Sequence, residues 1–173
     1  MLLKDYCQQL LLINQPRFTN SNNARYLSTI CFGVVEEFSE WLEKQDDIKE
    51  VGDILAYVTL TIASIIYRSP AYQNDLSFES LSEDTSAIVN ACIANFNSES
   101  AELEITLIID FAGHIKRHFR EGLDLRWSTI VSPLAFALAR SGFDLGDVAQ
   151  ANINKLNDRA ERNQLFSGSG DNR

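Results

Sequence analysis

The chain has 173 residues, enough for one domain with a real core, and its apolar and charged fractions of 45% and 23% are ordinary for a globular protein. A formal charge of -9, from 24 acidic and 15 basic residues, disfavours polymeric nucleic acid and anionic membranes as partners, because both would be repelled. The three cysteines, Cys7, Cys31 and Cys92, are odd in number, far apart and outside any CxxC spacing, which argues against a disulfide framework or zinc site and for a reducing cytoplasm.

With only 3 Pro and 8 Gly, and apolar residues recurring three or four apart, the chain is expected to be all-α, a helical bundle. A first helix is predicted over residues 2–13, stopping before Pro16. A second, over about 27–43, carries Leu27, Ile30, Cys31, Val34, Val35, Phe38, Trp41 and Leu42 as its apolar stripe. The polar run 44–47 makes a turn, and Asp47 with Glu50 three residues on has the pattern of a capping box. A third helix runs to about Arg68, where Ser69-Pro70 ends it. Its apolar stretch 54–66 contains Tyr57, Thr59, Thr61 and Ser64 and is shorter than the ~20 residues that span a bilayer. No basic n-region opens the chain, so the reading is a soluble protein.

Residues 71–82 read as a polar loop. Helices follow over about 84–96, 100–121 with Gly122 as a C-terminal stop, and 125–141 with Gly142 likewise; Pro133 is expected to kink the last of these. A final helix covers about 144–163. The Gly/Ser tail 167–173 has the composition of a flexible segment, leaving a single domain over 1–166.

Two acidic strings stand out. EEFSE (residues 36–40) and KEVGD (49–53) each place two carboxylates three residues apart, on one helix face and one turn apart. If the two helices pack antiparallel, Glu37, Glu40, Glu50 and Asp53 border one groove above the core. Four like charges at ~4–6 Å repel strongly unless a cation neutralises them, and oxygen donors select a hard ion, Mg²⁺ first with Mn²⁺ as a substitute. The plain alternative is the solvated face of two amphipathic helices.

EExxE followed by ExxD on consecutive helices of a small acidic all-helical chain resembles the MazG-like all-α NTP pyrophosphohydrolase superfamily, to which the dimeric dUTPases are related. The ending NINKLNDRAERNQLFSGSGDNR (residues 152–173), an NxxKLxxR helix followed by a GSGDNR tail, is similar to the ending of bacterial and phage members. The resemblance implies a bundle of MazG-like type that binds Mg²⁺ through Glu37, Glu40, Glu50 and Asp53. It also implies cleavage of a nucleoside triphosphate between the α and β phosphates, to monophosphate and pyrophosphate, in nucleotide-pool housecleaning. The four acids would be the catalytic set, with Glu36 in the leading acidic position. Homo-oligomers, dimers first, are implied as well. One departure is the spacing: nine residues separate Glu40 from Glu50, fewer than is usual for the family.

Asn152, Lys155 and Arg159 share a helix face, with Arg162 adjoining, and the resemblance gives them the triphosphate, lysine as a point charge and arginine as a bidentate fork. The basic group Lys116, Arg117 and Arg120 is read either as surface charge or as a second wall of the phosphate site, with Lys116 its candidate. Asp110, His114 and His118 recur every fourth residue but lack the spacing of HExxH or ExxH metal sites. Trp41, Phe111, Trp127 and Phe136 are candidates either for stacking a base or for the core.

The second half also reads as a replay of the first, with the plain alternative that any two amphipathic helical hairpins resemble each other. Residues 27–97 and 100–163 align as tandem units in which Asp110 and Gly113 stand where Glu37 and Glu40 do, and Arg126 and Thr129 where Glu50 and Asp53 do, so the second unit is degenerate at the chelate. No GxxxxGK[ST] loop occurs, which excludes a P-loop mechanism. Alternatives to a broad pyrophosphohydrolase are a dUTPase or dCTP pyrophosphatase of narrow specificity, and a non-catalytic helical binding module. A ferritin-like di-iron protein is disfavoured by the lack of Glu-x-x-His pairs.

Overall fold

The computed structural model describes residues 1–20, 23–68 and 101–162, together with residues 87, 89, 90 and 93. Among the described residues every regular element is an α-helix: α1 (Leu3–Asn20), α2 (Asn23–Glu43), α3 (Ile48–Arg68), α4 (Ala101–Glu121), α5 (Trp127–Ser141) and α6 (Leu145–Glu161). The bundle forms because each major helix has one apolar stripe to bury, and α3 takes the centre. It packs most extensively on α2, then on α6 and α5, and touches α1, while α4 packs on α5 and α2. The core runs from Tyr6 and Leu10 through Val34, Phe38 and Trp41 to Ile54, Leu55, Phe111, Leu134 and Ile153. Phe38, Trp41 and Phe136 form an aromatic cluster with ring centroids 5.2–6.1 Å apart.

Local chemistry accounts for the helix ends. Asp47 caps α3 by accepting from the Lys49 N–H at 2.9 Å. The reciprocal half of the expected capping box is replaced, because the Glu50 side chain turns to the Lys44 ammonium at 3.2 Å. Gly122 and Gly142 take the left-handed conformation (φ 68° and 71°) and close α4 and α5 through N–H bonds to the His118 and Leu138 carbonyls. Asp144 caps α6 by accepting from the N–H groups of Gly146 and Asp147.

Two prolines behave differently from the usual breaker. Helix α1 does not stop before Pro16 but continues to Asn20. The carbonyl that Pro16 leaves without a donor belongs to Leu12, which is exposed, so water can serve it. Helix α5 continues through Pro133, whose missing N–H orphans the Thr129 carbonyl, and there the Ser132 hydroxyl donates to that carbonyl at 2.9 Å. A buried helix thus keeps its proline by carrying its own replacement donor.

The Ser141 hydroxyl links two ends of the bundle. It accepts from Trp41 Nε1 at 3.1 Å and donates to the Gln45 carbonyl at 2.7 Å, fixing the α2–α3 turn against the end of α5. The expected loop 71–82, most of the helix over 84–96 and the tail 167–173 lie outside the described residues. The tandem alignment of 27–97 with 100–163 is therefore covered only in part, as two helical hairpins, α2–α3 and α4–α5. No helix among the described residues is long and apolar enough to cross a membrane.

Candidate functional site

The α2–α3 turn folds the two acidic strings together. One carboxylate oxygen each from Glu37, Glu40 and Glu50 lies within 4.8 Å of the others, a group of suitable donor type for a metal ion. Glu50 is buried, Glu37 and Glu40 are half-buried, and Lys44 reaches Glu50 from the turn. Asp53, one turn after Glu50, is held from the side by α6: its carboxylate accepts from Asn152 Nδ2 at 3.1 Å and pairs with the Lys155 ammonium.

The electrostatics match this crowding. Burial pushes the Glu37 carboxyl up to about 8, with the charges of Asp53 and Glu40 adding to the rise, Lys155 opposing it and Glu36 contributing a smaller increase. Glu37 therefore holds a proton near neutrality until a positive charge displaces it. Glu36 itself is exposed on α2.

The basic residues divide. Lys155 reaches the cluster, and Arg159 is half-buried one turn further along α6. Arg162 is exposed and pairs with Asp158 on its own helix, and Lys116 is exposed on α4. Asn152 departs from the expected role. It is fully buried, its Oδ1 accepts from the Tyr6 hydroxyl at 2.9 Å and its Nδ2 donates to Asp53, so it braces Asp53 instead of offering an open contact to a phosphate.

Sequence reading missed Tyr6. Its hydroxyl is buried from α1 and its phenol is pushed well above the usual range, first by burial, then by Cys7 and Asp53. Gly52 was also missed: a Cβ there would stand 3.0 Å from Cβ of Asn152, so the glycine lets α6 approach Asp53 closely. A signal for Asn152 was present, since a lone amide follows Val148 and Ala149 and precedes Ile153 on the buried stripe of α6.

Trp41, Phe111 and Phe136 are core residues, and only Trp127 among the four aromatic candidates keeps an accessible part. His114 and His118 serve the α4–α5 turn: His114 Nε2 accepts from the Arg126 N–H at 2.8 Å, and His118 Nδ1 lies 2.7 Å from the Leu123 carbonyl. Cys7 and Cys31 are free thiols, each pushed up to about 11 by burial.

Comparison with protein-family models, curated proteins and solved structures finds no match. The MazG-like resemblance thus stands on the acidic motifs and the C-terminal run alone.

Proposed function

We propose that this chain is a cytoplasmic, Mg²⁺-dependent nucleoside triphosphate pyrophosphohydrolase of MazG-like type, converting (d)NTP to (d)NMP and pyrophosphate in nucleotide-pool housecleaning. The observation that carries the reading is the convergence of Glu37, Glu40 and Glu50 within 4.8 Å on two adjacent helices. The donor set fits a hard divalent cation, because it consists of carboxylate oxygens. Oxygens on one octahedral Mg²⁺ lie roughly 3–4 Å apart, so modest side-chain rotations would close the group around it. Mn²⁺ is the expected substitute.

When bound, such an ion would polarise phosphate oxygens and lower the pKa of a water. The protein's own part is positional. Glu37, Glu40 and Glu50 supply negative charge on one side, while the Tyr6–Asn152–Asp53 chain fixes the fourth carboxylate. Lys155 brings a positive charge to the rim, and Arg159 stands one turn away, suited to the β and γ phosphates. A carboxylate of this cluster, Glu37 or Glu40, would orient the attacking water. Water attacks the α-phosphorus, the bond from that phosphorus to the bridging oxygen breaks, and pyrophosphate leaves.

The test is incubation of the full chain with Mg²⁺ and a panel of canonical and modified (d)NTPs, assaying pyrophosphate and orthophosphate separately. Pyrophosphate with monophosphate is expected. Orthophosphate alone, or no turnover with any nucleotide, would defeat the reading.

A further inference from the structure

Asp53 has the chemistry of a metal ligand but not the freedom of one. Its Oδ1 accepts from Asn152 Nδ2 at 3.1 Å and its Oδ2 is paired with the Lys155 ammonium, so both oxygens are engaged. The carboxylates that converge are accordingly those of Glu37, Glu40 and Glu50, without Asp53. The two lysines that meet this cluster are not equivalent. The Lys44 side chain is 41% exposed where it reaches Glu50, and an ion pair that open to water holds weakly. The Lys155 and Asp53 side chains are only 20% and 18% exposed, so their pair is partly shielded and separating it is unfavourable unless each charge gains a new partner. Of the two groups on Asp53, the Asn152 amide is fully buried and tied to Tyr6, whereas Lys155 carries its charge on a flexible four-carbon stem. Lys155 is the partner that can leave.

We propose, on the footing of the cation site above, that Lys155 stands in for the divalent cation at Asp53 in the metal-free protein and exchanges with it, so that ion and phosphate bind cooperatively. An ammonium and a divalent ion on the same carboxylate oxygen repel each other at close range, and one of them must move. An ion arriving alone takes Asp53 only against Lys155, and the displaced ammonium is left without an anion. An ion arriving with a polyphosphate supplies that anion, since the freed ammonium can pair with a phosphate oxygen. Each ligand then tightens the other by the same factor, as linkage requires. The site thereby prefers the complex of a divalent cation with a polyphosphate over the bare ion, and Lys155 is the residue that sets the preference.

Titration calorimetry of the full chain with Mn²⁺ alone, and with the preformed complex of Mn²⁺ and inorganic tripolyphosphate, tests this without any turnover. Lys155→Met should bind the bare ion about tenfold tighter and the complex about tenfold weaker, opposite signs that misfolding cannot produce. Lys155→Arg keeps the charge and can fork onto Asp53, so it should bind the bare ion no tighter than the wild-type chain. Arg159→Met removes the same charge one turn along α6 and should weaken binding of the complex only. An unchanged affinity of Lys155→Met for the bare ion, a gain in Lys155→Arg, or an equal gain in Arg159→Met from loss of charge alone would overturn the exchange, even where the chain turns over nucleotide. Absence of Mn²⁺ binding in all four chains would overturn the cation site along with it.

Discussion

The α2–α3 and α4–α5 hairpins solve the same packing problem with opposite chemistry. Each buries an apolar stripe, but the first turns through the polar run 44–47 and gathers Glu37, Glu40 and Glu50, while the second turns through 122–126 and holds that turn with two imidazoles. In the second hairpin the positions aligned with the acids carry Asp110, which is exposed, and Gly113, where an added Cβ would meet nothing within 4 Å. The second hairpin thus spends its imidazoles on closing its own turn, whereas the first gathers carboxylates that the protein meets with Lys44 at Glu50 and with Lys155 at Asp53. The clustered carboxylates of the first hairpin are where the proposed cation would act.

The comparison breaks most sharply at the acids. Glu37→Gln, Glu40→Gln and Asp53→Asn should each lower pyrophosphate release by on the order of 100-fold, in steady-state assays with Mg²⁺. Asp110→Asn at the aligned position should leave turnover intact and stability within about 0.5 kcal/mol. Equal losses in both hairpins would end the distinction. Next in size is the brace: Asn152→Ala strands the Tyr6 hydroxyl and one Asp53 oxygen in the interior, and urea denaturation should show a loss of about 2–3 kcal/mol.

Titration should then separate the hairpins by sign. The Glu37 carboxyl rises from 4.5 to about 8 on folding, so the metal-free fold binds the extra proton and loses stability as pH climbs from 4.5 towards 8. Divalent cation should reverse that trend and release protons near neutrality, readable by calorimetry in buffers of different ionisation enthalpy. His114 moves the other way. Burial first, then Arg117, Arg126 and His118, lower it from 6.5, and its Nε2 must stay unprotonated to accept from Arg126. Its contribution is complete above 6.5 and fades as pH falls below that value, and His114→Gln should flatten this acidic limb. The smallest effect expected is Gly52→Ala, which crowds Asn152 by a few tenths of an ångström and should weaken metal affinity more than it lowers the melting temperature.

Much of the bundle was legible because apolar periodicity and caps agreed. The α2–α3 turn followed from the polar run ending in Asp47, and the ends of α4 and α5 from Gly122 and Gly142. Pro16 misled, since the rule that proline stops a helix assumes that the orphaned carbonyl has no other partner. Three of the four acids were legible as one cluster from spacing on consecutive helices. The rest of the site was not, because Tyr6 and Asn152 lie 146 positions apart and the tyrosine is indistinguishable from core packing in a linear reading. Spacing along one helix reports which residues share a face but not which distant helix will cover it.

Asp53 and its amide partner are separated by 99 positions, while Glu37, Glu40 and Glu50 come from a single contiguous hairpin. During synthesis the three glutamates emerge together and early, long before α6 exists. Asp53 acquires its amide and ammonium partners only once α6 has been made.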